Sequence, residues 1–79
     1  IYKAGEGNDV IADYASGDML KILDKNGAAG TFTKAAFGSN TLTLTINGGG
    51  TVALKNVNSS NNFNINGDSY HVNGKTIAK

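Results

Sequence analysis

TLTLTINGGGTVALKNV, residues Thr41–Val57, alternates threonine with leucine or isoleucine, breaks on Asn-Gly-Gly-Gly, and then resumes alternation. A period of two puts every second side chain of an extended chain on one face, so Leu42, Leu44 and Ile46 share a side. Val52 and Leu54 continue that side on the return arm, with Asn56 as the third member of the row. Asn47–Gly50 supplies residues that tolerate positive φ, which a tight reversal needs. The stretch therefore reads as a β-hairpin, and it sets the fold class. NFNINGDSYHV (62–72) repeats the scheme, with Phe63 and Ile65 on one arm, Tyr70 and Val72 on the other, and Asn66-Gly67 at the turn. Asn73-Gly74 turns the chain into KTIA, a short last strand, and Asn26-Gly27 closes DMLKIL (18–23). That last run also has the outline of a helix N-capped by Asp18. It is short and followed at once by loop residues, so a strand is expected. Asn-Gly pairs at hairpin intervals predict a meander of short antiparallel strands.

Composition agrees. Eleven glycines, no proline and a heavy load of Asn, Thr and Ser favour turns and strands over helix interiors. Seventy-nine residues make one small domain with a thin core, and with no cysteine there is no disulfide to staple it. The net charge of +1 is too small to argue for nucleic acid or an anionic membrane. No apolar run approaches the ~20 residues of a membrane-spanning helix, and no signal-peptide pattern is present. The chain opens on Ile1 rather than Met, which reads as a piece of a longer protein. Its acids are uneven: Glu6, Asp9, Asp13, Asp18 and Asp24 precede residue 25, and only Asp68 follows. An acidic, glycine-containing head on a nearly neutral body suits a cation site at one end.

That head is AGEGNDVIA (Ala4–Ala12). Against the nonapeptide G-G-x-G-x-D-x-U-x, where U is a large aliphatic, Gly5, Gly7, Asp9 and Ile11 occupy the second glycine, third glycine, aspartate and aliphatic places. Nine residues on, Asp18 and Leu20 repeat the last two, with Tyr14 and Ser16 in place of glycines. Ala4 replaces the first glycine of the first unit, and a further step of nine lands on Gly27, where the period ends. Residues Gly5–Leu20 resemble the repeats-in-toxin, or haemolysin-type calcium-binding, proteins that bacteria secrete, and the β-rich remainder resembles the segment that follows such arrays.

The resemblance implies a Ca2+ ion held between loops of successive turns. Gly5, Gly7 and Asn8 would offer backbone carbonyls, Asp9 its carboxylate, and Asp18 the equivalent carboxylate of the next turn. Ca2+ takes six to eight oxygens, so one turn supplies part of a site. The plainer reading of the same residues is that Asp9, Asp13 and Asp18 are turn, surface or strand-start acids. Asp24-Lys25-Asn26-Gly27 faintly resembles an EF-hand loop, but its glycine is misplaced and the twelfth residue is Ala35 rather than Glu.

Catalytic constellations are not expected. His71 is the sole histidine, and on a strand it would share a face with Ser69 at about 6–7 Å, too far for an activated nucleophile. One histidine and no cysteine also leave zinc without ligands. The aromatics read as core and rim rather than a sugar platform.

The expectation is an all-β domain over 1–79, with a degenerate solenoid-repeat end over 1–24 and a β-hairpin cap over 25–79. Its expected role is a noncatalytic capping module of a large secreted or surface bacterial protein, with upstream repeats as partner and weak Ca2+ binding at the N-terminal loops. Neither nucleic acid nor membrane insertion is expected. The alternatives are an adhesive module for a glycan or host protein, or the appendage of a secreted hydrolase.

Overall fold

A computed structural model describes residues 2–5, 7–12, 14 and 18–79. The fold is all-β: the described residues form ten short strands and no helix. Four come from the head, namely β1 (Tyr2–Lys3), β2 (Asn8–Ile11), β3 (Met19–Leu20) and β4 (Ile22–Leu23). DMLKIL is thus extended, as expected. Six follow: β5 (Phe32–Gly38), β6 (Thr41–Ile46), β7 (Thr51–Lys55), β8 (Asn62–Ile65), β9 (Asp68–Asn73) and β10 (Thr76–Ala78).

The expected hairpins form. β6 pairs antiparallel with β7 in the register Leu42↔Leu54 and Leu44↔Val52, and all four side chains are fully buried. β8 pairs with β9 across Asn66-Gly67, whose φ values of 54° and 90° fit the two-residue turn that a right-twisted hairpin prefers. β10 returns on β9 through Gly74-Lys75. One inward position differs from expectation. Asn56 adopts φ 61° and is exposed, and this left-handed residue breaks the alternation so that Val57 takes the core place instead.

β5 has no counterpart among the strands expected from sequence. It pairs with β6 through a Ser39-Asn40 turn, both residues at positive φ, and an irregularity between Phe32 and Lys34 restores Ala35 and Phe37 to the inner row.

Three pairings lie outside any meander, because they are parallel. β1 lies beside β4 with Tyr2 opposite Ile22, twenty residues later in sequence. β2 lies beside β7 with Ile11 opposite Leu54, and β3 beside β8 with Leu20 opposite Ile65. Strands β1, β2 and β3 thus form one layer of a coil. A second layer of β4, β7 and β8 stacks upon it, with the β5–β6 hairpin inserted in its path. Nine residues separate Ile11 from Leu20, and both face the core side, so the nonapeptide spacing matches one corner of this coil.

The core runs between the sheets. Tyr2, Ile22, Leu42, Leu44, Val52, Leu54, Val57 and Phe63 are its largest fully buried side chains, each aliphatic worth about 1.5–3 kcal/mol on burial. Two tyrosines tie the first layer to the second. The Tyr2 hydroxyl donates to the Gly7 carbonyl at 2.6 Å, with the Gly49 carbonyl at 3.2 Å. Tyr14 stacks on Phe63 at 5.5 Å between ring centroids, and its hydroxyl accepts the Asn64 N–H at 3.0 Å while donating to the Asp18 carbonyl at 3.0 Å. Tyr14→Phe leaves a part-buried N–H without its acceptor, and a loss of about 1–2 kcal/mol in urea unfolding is expected with the slope unchanged.

Candidate functional site: the open end of the stack

The two four-stranded sheets run β2-β7-β6-β5 and β3-β8-β9-β10, and the third is the pair β1-β4. Every first-layer strand therefore stands at the edge of its sheet. The opposite edges, β5 and β10, do not lie open in the same way. The Phe37 N–H of β5 donates to the Lys75 carbonyl, in the turn before β10, at 2.8 Å, so the two sheets close on each other at that end. The molecule has one closed end and one end made of successive strand edges. An uncovered edge presents backbone groups that template further pairing.

Side chains mark the same end. Val10 on β2 and Met19 on β3 are the exposed large hydrophobics among the described residues, 59% and 55% accessible. Val10 sits opposite Ala53, on the outer face of its sheet. Met19 borders a groove of about 350 Å³ beside β3 and β4, where Ile22, Ala29 and Asn66 also contribute.

The sequence-predicted site residues fall on this end as well. Gly5 and Gly7 hold φ of 89° and 93°, the loop geometry their glycines imply. That loop lies on the Asn47–Gly50 loop of the next layer. The Gly5 N–H donates to the Gly49 carbonyl at 3.2 Å, and the Gly7 carbonyl accepts the Thr51 N–H at 3.2 Å as well as the Tyr2 hydroxyl. Asn8 accepts the Thr51 hydroxyl on Oδ1 at 2.9 Å. Asp9 is exposed, yet its register partner Val52 is buried, so Asp9 stands in the inward row of an edge strand. Asp18 is exposed, immediately before β3, in the strand run of the other large sheet. The structure thus places Asp9 and Asp18 on two faces of the coil. Among the described residues no group of three His, Cys, Asp or Glu side chains gathers as a metal cluster. Glu6, Asp13 and Ser16 lie outside the described residues.

The other candidates resolve into structural roles. Asp24 accepts the N–H groups of Asn26 and Ala28 at 2.8 and 3.0 Å, which fixes its turn. Asp68 pairs with Lys79 at 3.3 Å, both side chains exposed, and Ser69 and His71 are exposed on β9. Of the six aromatics, Tyr2, Tyr14 and Phe63 are buried and Phe32, Phe37 and Tyr70 half-buried, so none forms a flat exposed platform.

Three residues carry this end with little or no signal in the sequence. Tyr2 and Tyr14 anchor the loops by hydroxyls, for which no spacing rule exists. Asn66 reads from sequence only as a turn residue. Its side chain accepts the Ile22 N–H at 2.7 Å and donates to the Ile22 and Gly30 carbonyls at 3.1 and 2.9 Å, standing in for a strand beside β4.

No family model, curated protein or solved structure matches this chain.

Proposed function

We propose that this protein is a noncatalytic end cap for a stack of parallel β-coils, its open end receiving the last coil of a preceding repeat array. The asymmetry of the two ends is the observation that carries this reading. Layer one already rests on layer two by parallel pairing in three places, and the same geometry repeated once more would cover β1, β2 and β3. Strands added about 4.8 Å away would flank Val10 and Met19 and withdraw their apolar surface from water. The closed end, in turn, terminates the stack, as the last unit of a solenoid must.

Calcium enters the same reading. A coil laid over β2 would cover Asp9, and burying a carboxylate is costly unless it is paired or coordinated. Asp9 would supply a charged oxygen to an ion between that coil and this one, with Gly5, Gly7 and Asn8 as further donors of the resemblance, while Asp18, on another face of the coil, stands apart from that ion. In this protein alone the Gly7 carbonyl and the Asn8 side chain are already engaged, so affinity is expected to be weak. A cation scarce inside a cell and plentiful outside would couple folding to export, in keeping with a secreted or surface bacterial protein.

The test is a tandem protein with a second copy of residues 2–20 placed ahead of Tyr2. A single cooperative transition with a raised Tm is expected. Val10→Lys and Met19→Lys should change the stability of the 79-residue protein by no more than about 0.5 kcal/mol, yet abolish the gain in the tandem form. Calcium, with magnesium as control, should shift the amides of Gly5–Asp9 more in the tandem form than in the single one. An added coil that stays unstructured, with Tm unchanged, would overturn the cap reading; calcium indifference in both forms would remove the ion from it.

A further inference from the structure

Four asparagines precede glycine: Asn26, Asn47, Asn66 and Asn73. Glycine has no Cβ to shield its nitrogen, so an Asn-Gly peptide is open to attack by that nitrogen on the neighbouring side-chain amide. Whether the attack proceeds depends on the freedom of both groups, and here the four sites differ.

At Asn66 both are held. The side chain makes three hydrogen bonds, and the Gly67 N–H donates to Asn64 Oδ1 at 2.9 Å. At Asn26 the Gly27 N–H is bound to the Asp24 carbonyl at 3.1 Å, and Asn26 itself is pinned by its N–H to Asp24 Oδ1. Asn73 is exposed and its side chain makes no hydrogen bond among the described residues, but it ends β9 opposite Thr76, which fixes its backbone in the ladder. Asn47 is different. Its own N–H donates to the Thr31 carbonyl at 3.0 Å, but it is exposed, its side chain makes no hydrogen bond among the described residues, and neither does the Gly48 N–H. It also opens the glycine triple of the β6–β7 loop, where no side chain on Gly48 hinders the approach of its nitrogen.

We infer that Asn47 is a site of spontaneous deamidation, and that the fold shields Asn66 from the same fate. The Gly48 nitrogen bonds to Asn47 Cγ and loses its proton, the Cγ–Nδ2 bond of Asn47 breaks, and ammonia leaves. Water then opens the cyclic imide at either carbonyl, giving aspartate or isoaspartate, with no change of oxidation state. The isoaspartate product routes an additional methylene through the backbone directly before Gly48 and Gly49. That displaces the Gly49 carbonyl, which accepts the Gly5 N–H and lies 3.2 Å from the Tyr2 hydroxyl. Modification at Asn47 is thereby expected to loosen the first coil from the second, while leaving β8 and β9 intact.

The test is incubation of the folded protein at neutral to mildly alkaline pH, with peptide mapping for isoaspartate and release of ammonia. Asn47 should convert first and Asn66 on the order of 100-fold more slowly, the ratio about 2.7 kcal/mol of added barrier produces. In denaturant the four sites should approach a common rate, which shows that structure sets the difference. Asn47→Gln should remove the earliest product and leave the rest unchanged. Conversion of Asn66 as fast as Asn47 in the folded protein, or an Asn47 that stays intact while Asn26 or Asn73 reacts, would overturn the inference.

Discussion

Gly50→Ala is expected to be the most damaging small substitution in this protein. Gly50 holds φ of +87°, and a Cβ built there would run into the Tyr2 hydroxyl oxygen and the Gly7 carbonyl. Two effects add. A non-glycine residue held in the left-handed region costs about 1–3 kcal/mol, and forcing atoms into a filled site costs about 1–3 kcal/mol more. A total of roughly 2–6 kcal/mol compares with an expected stability of about 4–12 kcal/mol for a domain of this length. A large drop in the urea midpoint should follow, or a mostly unfolded protein. Gly67→Ala is the control, because Gly67 has φ of +90° but nothing within 4 Å of its Cβ position. It should cost about 1 kcal/mol, the conformational part alone. Equal losses for the two substitutions would show that Tyr2 does not seat between the Gly7 and Gly49 loops.

Asn66→Ala is expected to come second. It removes an acceptor from the Ile22 N–H, in a residue with no exposed surface, and donors from two backbone carbonyls. At about 1 kcal/mol for each lost bond, and more for an orphaned buried N–H, the loss is about 3–4 kcal/mol. Asn66 also sits at φ 54°, where asparagine is tolerated better than alanine. Asn66→Gly relieves that strain and loses the same bonds, so it should recover about 1 kcal/mol of the deficit. Asn66→Asp keeps the acceptor but sets a carboxylate against the Ile22 and Gly30 carbonyls, and is expected to be no better than alanine. A loss below about 1 kcal/mol for alanine would mean that water replaces the side chain beside β4.

What was legible in the sequence is what depends on neighbours along the backbone. The alternation of Leu42, Leu44 and Ile46, the Asn66-Gly67 turn and the extended DMLKIL run are local consequences of side-chain period and backbone tolerance, and each forms. β5 carried a weaker form of the same signal, with Ala35 and Phe37 two apart and a Ser39-Asn40 turn behind them. The irregularity after Phe32 interrupts its period. The parallel pairings were out of reach of local reasoning, since Ile11 meets Leu54 across a separation no turn chemistry announces. The nine-residue echo from Ile11 to Leu20 was the one sign of a coil. Asn56 misled because a single left-handed residue breaks the alternation and hands its inward place to Val57. The open end was legible only in outline: the glycines and Asp9 drew notice, whereas its anchors Tyr2, Tyr14 and Asn66 act through hydrogen bonds to distant backbone.

Both the proposed cap and the calcium binding proposed with it rest on β1, β2 and β3 being laid parallel on the second layer. Nuclear Overhauser contacts in a methyl- and aromatic-resolved NMR spectrum of the intact protein test that arrangement most directly. Contacts from Ile11 to Leu54, Leu20 to Ile65 and the Tyr2 ring to Ile22 are expected together, with the Asn8–Ile11 backbone in parallel register to Thr51–Leu54. Retention of the β6–β7 and β8–β9 hairpin contacts with those three absent would contradict the account, because the open end would then have no first layer to build upon.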